Sequence, residues 1–184
     1  LIAQAKTGSG KTAAFAISLL NRLDETQYHT QALIVCPTRE LAEQVAEEIR
    51  RLARGIPNVK TLTLCGGRPM GPQLASLKRA PHIVVGTPGR LLKHLEKQTL
   101  KINKVETLVL DEADRMLGMG FIEDIDDIDD YLPTTRQTLL FSATYPDEIA
   151  QLSANFQTDP VDIRIEFDTP NAQIEESFYE VDRV

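Results

Sequence analysis

Near the start of the chain, Ala5-Lys6-Thr7-Gly8-Ser9-Gly10-Lys11-Thr12 has the residue types and spacing of a phosphate cradle. Gly8 and Gly10 allow the backbone to curl so that successive N–H groups converge on one anion, at the positive end of the helix that follows. The Lys11 ammonium can reach the β and γ phosphates of such a ligand, and the Thr12 hydroxyl is a ligand for Mg²⁺. A glycine turn with no chemical purpose needs neither an apolar strand stub before it nor a helical period after it, and both are present. The segment predicts a nucleoside triphosphate site contacted by all eight residues.

A second group complements the first. The apolar run Leu108-Val109-Leu110 ends in Asp111-Glu112-Ala113-Asp114. An acid at the end of a buried strand is what Mg²⁺ needs opposite the loop threonine, often through water, so Asp111 and Thr12 are the candidate metal ligands. Glu112 beside it is placed to orient or deprotonate an attacking water, since phosphoryl transfer asks the protein chiefly for positioning and charge stabilisation. Taken alone, these carboxylates are also what a solvated helix start would carry. The phosphate cradle upstream favours the chemical reading.

Both groups need a frame that brings residues a hundred positions apart together. Short apolar runs at 1–3, 32–36, 61–65, 83–85, 107–110, 138–141 and 161–165, rich in Val, Ile and Leu and without strict alternation, predict strands buried on both faces. Helical periodicity appears at 11–23 and in the stripe Leu41, Val45, Ile49 and Leu52, which ends in Arg50, Arg51 and Arg54 before Gly55, a basic last turn followed by a glycine stop. Further helices are expected at 72–79, 88–97, as a broken pair between 111 and 131, and at 146–156. Strand and helix alternating at this rhythm predict an α/β domain with a mostly parallel sheet and helices on both faces. In such sheets ligands gather at the carboxyl ends of the strands, where both acidic and glycine-rich groups would sit.

Composition narrows the class. The 184 residues suit one domain. A formal charge of −7 conceals a division: residues 1–110 hold 16 basic and 8 acidic side chains, residues 111–184 hold 4 and 19, or +8 against −15. A basic half keeps a nucleic-acid partner in play despite the total. No stretch approaches the roughly 20 apolar residues of a membrane helix. Cys36 and Cys65 each end an apolar run and read as buried free thiols, and the three scattered histidines draw no zinc site, so a reducing, cytoplasmic setting is expected. The acidic run at 123–130, with Ile122, Ile125 and Ile128 at three-residue spacing, reads as a solvated helix with an apolar stripe facing away from any bound strand. The opening Leu1-Ile2-Ala3-Gln4, without Met or a preceding helix, suggests a piece of a longer chain.

Further segments join these in a fixed order: Pro37-Thr38-Arg39-Glu40-Leu41-Ala42, Gly66-Gly67, Thr87-Pro88-Gly89-Arg90 and Ser142-Ala143-Thr144. With the cradle and the acidic group, the ordered set resembles the motifs of the first RecA-like domain of DEAD-box RNA helicases, a P-loop fold, over nearly the whole chain. Residues 31–54 and 62–67 look particularly like bacterial members that act on ribosomal RNA. The resemblance implies ATP and Mg²⁺ as cofactors, Lys11 and Thr12 as phosphate and metal contacts, Asp111 as the metal-linked acid and Glu112 as catalytic base. It implies that Asp114, Ser142 and Thr144 link the ATP state to the grip on RNA. Pro37, Thr38, Arg39, Gly66, Gly67, Thr87, Gly89 and Arg90 would contact single-stranded RNA or one strand of a short duplex. The chemistry agrees: Thr-Pro-Gly-Arg at a helix start offers N–H groups, a hydroxyl and a guanidinium to phosphate and ribose oxygens and reads no base. Each of these short segments also has a plainer reading. Thr38 and Thr87 can be helix caps, Gly66-Gly67 a turn, and Ser142-Ala143-Thr144 a strand end capping the next helix.

Two departures from the family pattern shape the expectation for these 184 residues. The adenine-recognition element upstream of the cradle and the second RecA-like domain with its arginine fingers lie outside them. Residues 1–168 are expected to form the ATP-binding domain and 169–184 a tail towards the second domain, with little ATP binding or turnover by the piece alone. A nucleotide-dependent interaction module and a RecA-core DNA helicase are the rival readings.

Overall fold

The computed structural model describes residues 1–4 and 10–164. Seven strands, β1 (Ile2–Gln4), β2 (Ala32–Val35), β3 (Thr61–Leu64), β4 (Ile83–Gly86), β5 (Thr107–Leu110), β6 (Gln137–Ser142) and β7 (Asp162–Arg164), form one sheet in the order β3-β4-β2-β5-β6-β1-β7. Every pairing among the described residues is parallel. The helices between them are α1 (Lys11–Arg22), α2 (Arg39–Leu52) with a 3₁₀ turn (Ala53–Gly55), α3 (Met70–Leu77), α4 (Pro88–Glu96), α5 (Ala113–Gly118), α6 (Ile122–Asp129) and α7 (Asp147–Phe156). The expected α/β fold is thus present, with a sheet that is parallel throughout.

The apolar runs make sense once their two faces are separated. On β2, Leu33 and Val35 join the core beneath α4, α5, α6 and α7, while Ala32, Ile34 and the following Cys36 join the core beneath α1 and α2. Side chains alternate between faces along a strand, so a strand covered on both sides must be apolar at every position. The α2 stripe buries Val45, Ala46 and Ile49, and in α6 Ile125 and Ile128 point inward while Glu123, Asp126 and Asp127 stay exposed. Asp124 departs from the expectation that this acid faces away: its Oδ2 lies 3.5 Å from where a Cβ on Gly89 would sit, because α6 packs on α4.

The two edges are blunted differently. On β3 the Arg50 guanidinium donates to the Thr61 carbonyl (3.2 Å) and the Thr63 hydroxyl (3.1 Å), covering an edge that would otherwise offer open backbone groups. Strand β7 is short and carries an exposed Arg164–Asp162 ion pair at 2.8 Å. Val161 and Ile163 are exposed, against the expectation of burial on both faces; among the described residues β7 is the edge strand, paired with β1 alone.

Gly86, at the end of β4, marks the closest packing. A Cβ there would lie 2.5 Å from the Leu64 carbonyl oxygen and 2.8 Å from the Leu91 side chain, so only glycine lets β3 and α4 close on this strand. Among the described residues no helix is long and apolar enough to cross a membrane.

Candidate functional site

Register sets the site. Gln4 pairs with Ser142, Val35 pairs with both Leu110 and Gly86, and Leu64 pairs with Gly86. The next residues along the chain, Cys36, Cys65, Thr87 and Asp111, therefore emerge together at the carboxyl edge of the sheet. Lys11 and Thr12 begin α1 at that same edge, after Gly10, whose φ of +85° is one that glycine adopts without strain. Ala5, Lys6, Thr7, Gly8 and Ser9 lie outside the described residues, so the cradle is seen here only from Gly10 onward.

Asp111 is 2% exposed. Its amide donates to the Val35 carbonyl at 3.0 Å, and its Oδ1 accepts from the Glu112 amide at 3.0 Å. Burial pushes the carboxyl up to about 6, while the Lys11 charge pulls it back down. A desolvated carboxylate that is costly to ionise alone is well suited to a cation, and the Thr12 hydroxyl supplies a second hard oxygen at the start of α1. The donor set fits Mg²⁺.

Glu112 occupies the left-handed region (φ 52°, ψ 53°), rare for a residue with a side chain, and its Oε2 holds Arg115 Nη1 at 3.3 Å. Asp114, in the first turn of α5, accepts from both the amide and the hydroxyl of Thr144 through Oδ2, each at 2.9 Å, and from the Arg115 amide through Oδ1 at 3.0 Å. Burial raises this carboxyl, but the Thr144 and Arg115 bonds outweigh it and hold it below the usual range. Ser142 Oγ donates to the Thr144 carbonyl at 2.6 Å. Residues 142–144 thus tie the end of β6 to the acidic segment and do not cap α7, whose N-cap position is Pro146 without a side-chain bond. The Gln4 amide donates to the Ala143 carbonyl at 3.4 Å, a link across β1 and β6 that the sequence did not suggest.

The second half of the edge gathers the remaining segments. Thr38 does cap α2, its hydroxyl accepting from the Leu41 amide at 3.3 Å. Thr87 makes no such bond at α4; its hydroxyl lies 3.5 Å from the Gly66 amide, so the two motifs meet. Gly67 has φ +74°, and a Cβ there would stand 3.2 Å from Arg39 Nη1, which places the Pro37-Thr38-Arg39 segment over the glycine turn. Arg90 Nη1 donates to the Arg68 carbonyl and to Gln73 Oε1, both at 3.0 Å. Gly89 begins the same helix turn as Pro88, which stands at the first helical position. The structure therefore forms two clusters on one edge, Lys11, Thr12, Asp111, Glu112, Asp114, Ser142 and Thr144 in one, Arg39, Gly66, Gly67, Thr87 and Arg90 in the other.

Residues 1–152 match the model of the DEAD/DEAH box helicase family. The chain belongs to that family. Among relatives of this DEAD/DEAH box chain, the ATP-dependent RNA helicase DbpA of Escherichia coli (strain K12) is 59% identical over 177 residues, 96% of this chain and 39% of that protein. The ATP-dependent RNA helicase CshA of Listeria monocytogenes is 50% identical over 97% of this chain and 34% of its own length. The chain thus spans little more than a third of the curated relatives it matches. The crystal structure of a DEAD box protein from the hyperthermophile Methanococcus jannaschii superimposes with a TM-score of 0.85 at 45% identity, over 90% of this chain and 45% of that one. The sheet described above is the RecA-like fold of DEAD-box proteins.

Proposed function

We propose that this chain is the ATP-binding RecA-like domain, residues 1–168, of an ATP-dependent RNA helicase, with 169–184 leading to a second RecA-like domain of the same protein. One observation carries the reading furthest: Asp114 Oδ2 accepts two hydrogen bonds from Thr144, so the acidic segment at the start of α5, beside Lys11 and Asp111, is joined to the 142–144 segment at the end of β6. A change in the acidic segment on nucleotide binding is thereby passed to residues 142–144 at the end of β6.

In this reading Ala5 to Thr12 hold the phosphates of ATP, Lys11 supplies charge, and Thr12 with Asp111 holds Mg²⁺. Bound Mg²⁺–ATP supplies the transferable phosphoryl group and the counter-charge for its oxygens. Glu112, on its left-handed corner next to Asp111, orients a water and takes its proton. Pro37, Thr38, Arg39, Gly66, Gly67, Thr87, Gly89 and Arg90 offer N–H groups, hydroxyls and guanidinium to the backbone of single-stranded RNA, a mode that reads no sequence. ATP then favours a closed state around one strand of a short duplex, and hydrolysis reopens it, a population shift driven by differential affinity. The 59% identity to an ATP-dependent RNA helicase supports RNA as the substrate, and we read that RNA as ribosomal and the setting as cytoplasmic from the sequence resemblance. On their own, the 184 residues are expected to turn over little ATP.

The test is ATP turnover and short-duplex separation by the full-length protein, with RNA and DNA of matched sequence. Turnover stimulated by RNA and duplex separation are expected. Equal stimulation by DNA would point to a DNA helicase, and nucleotide binding without strand separation to an interaction module.

A further inference from the structure

Between the strand-binding cluster and the core lies a polar chain that the sequence motifs do not include. Gln73 on α3 is 7% exposed and His94 on α4 is fully buried. The Gln73 amide nitrogen donates to the Cys65 carbonyl at 3.1 Å, which turns its Oε1 towards two donors, Arg90 Nη1 at 3.0 Å and His94 Nε2 at 2.9 Å. Both acceptor positions of that oxygen are then in use. Burial, then the charges of Arg90 and Lys97, push the His94 imidazole down from its usual value. On the other side of the ring, Nδ1 lies 2.9 Å from the Thr99 hydroxyl oxygen, which itself donates to the His94 carbonyl at 3.0 Å. Three contacts therefore fix the Gln73 amide in one orientation, and a fixed Gln73 fixes Arg90. The same Arg90 nitrogen holds the Arg68 carbonyl, so the turn at 66–68 and the first turn of α4 are clamped to each other. Among the described residues no carboxylate pairs with Arg90.

We propose that Gln73, locked by His94, is a positioning residue that holds Arg90 and the glycine turn at 66–68 as one preformed grip for the RNA backbone. The proposal rests on the reading of Arg90 as a strand contact. An arginine side chain carries large rotamer freedom, and its loss on binding weakens a complex unless the side chain is already ordered. Gln73 orders it through Nη1 and leaves the rest of the guanidinium for a phosphate.

The experiment measures binding of a fluorescent short oligouridylate to the full-length protein with Mg²⁺ and a non-hydrolysable ATP analogue, for Gln73→Ala, Gln73→Met, Gln73→Glu, Arg90→Ala and the double variant Gln73→Ala/Arg90→Ala. Gln73→Ala and the shape-conserving Gln73→Met should each weaken RNA binding by about 5- to 10-fold. Gln73→Glu, which keeps an acceptor for Arg90 and His94 but loses the donor to the Cys65 carbonyl, should weaken RNA binding less than Gln73→Met does, and nucleotide affinity without RNA should be unchanged in all three. In the Arg90→Ala background the Gln73→Ala effect should shrink below about 2-fold, the coupling expected of residues that act as a unit. Arg90→Ala weak and Gln73→Met unaffected would overturn the positioning role alone, as would full additivity in the double variant. An Arg90→Ala variant that binds RNA like the parent would overturn the strand-contact reading beneath it, and the positioning role with it.

Discussion

Asp111 shows how a residue proposed to serve a site can be carried at the expense of the fold. Its carboxyl is 2% exposed, and burial has moved it from the usual 3.8 up to about 6. The folded chain therefore binds this proton more tightly than the unfolded chain does, so from about pH 4 to about pH 6 its contribution to stability falls as pH rises, and above that it is a constant penalty. For a carboxyl displaced this far the penalty is roughly 1 to 3 kcal/mol. Asp111→Asn keeps the size and removes the charge. Without nucleotide, the variant should be more stable than the parent by that order at about pH 7.5 and about equal to it at about pH 4, measured as paired urea-unfolding midpoints. Its Mg²⁺-dependent ATP turnover should be lost. A parent and variant that unfold alike at both values would show that Asp111 is already paired in the ligand-free chain. Glu112 is a second such residue, held at φ 52° where a side chain is unfavourable by about 1 kcal/mol. Neither cost serves packing, and both fall at the junction of β5 and α5, where a cation and a water would be handled.

At the level of elements, the strands and helices were legible because burial on both faces leaves a simple trace, continuous apolar runs separated by helical stripes. The trace fails where burial fails. Strand β7 reads like the others in sequence, but it is the edge strand among the described residues and leaves Ile163 exposed. The site was legible in proportion to how local its contacts are. Thr38 caps its own helix three residues on, as a sequence can suggest. Thr87 looks the same and instead meets Gly66, 21 residues away, which only the β3–β4 pairing brings near. Gln73 and His94 gave no signal, since a glutamine and a histidine on separate helices become a network only through tertiary packing. Gly86 is legible only in structure too, and it yields a prediction at this scale. Gly86→Ala should destabilise the chain by about 3 kcal/mol, because the new methyl meets the Leu64 backbone oxygen as well as the Leu91 side chain and the strand must move. The urea midpoint should fall with the slope unchanged. Adding Leu91→Ala should give less than the sum of the two single losses, since part of the crowding is relieved. Additive losses would mean that the backbone contact alone decides.

For the molecule as a whole, the division of charge follows the division of labour along the carboxyl edge. The basic half supplies the second cluster and its surroundings, and the acidic half supplies Asp111, Glu112, Asp114 and the outward face of α6. Exposed acids on α6 lower the net charge, while those of the acidic segment face the proposed triphosphate site, so a total of −7 says little about affinity for RNA. A single sheet edge can bind a nucleotide and present a surface to one strand, but it cannot enclose either. Transition-state charge on the phosphoryl group calls for a cation from the opposite side, and arginine fingers contribute about 10³- to 10⁵-fold in rate in the enzymes that use them. On the proposed two-domain reading, RNA-stimulated ATP turnover by residues 1–184 should therefore lie at least about 10³-fold below that of the full-length protein under the same conditions. Adding the proposed second RecA-like domain as a separate chain should restore part of it, in proportion to concentration, because its groups then arrive by association rather than by tethering. Comparable turnover by the 184 residues alone would require that the charge be supplied from within this domain, and Arg115, whose guanidinium already holds Glu112 at 3.3 Å, would be the side chain to replace first.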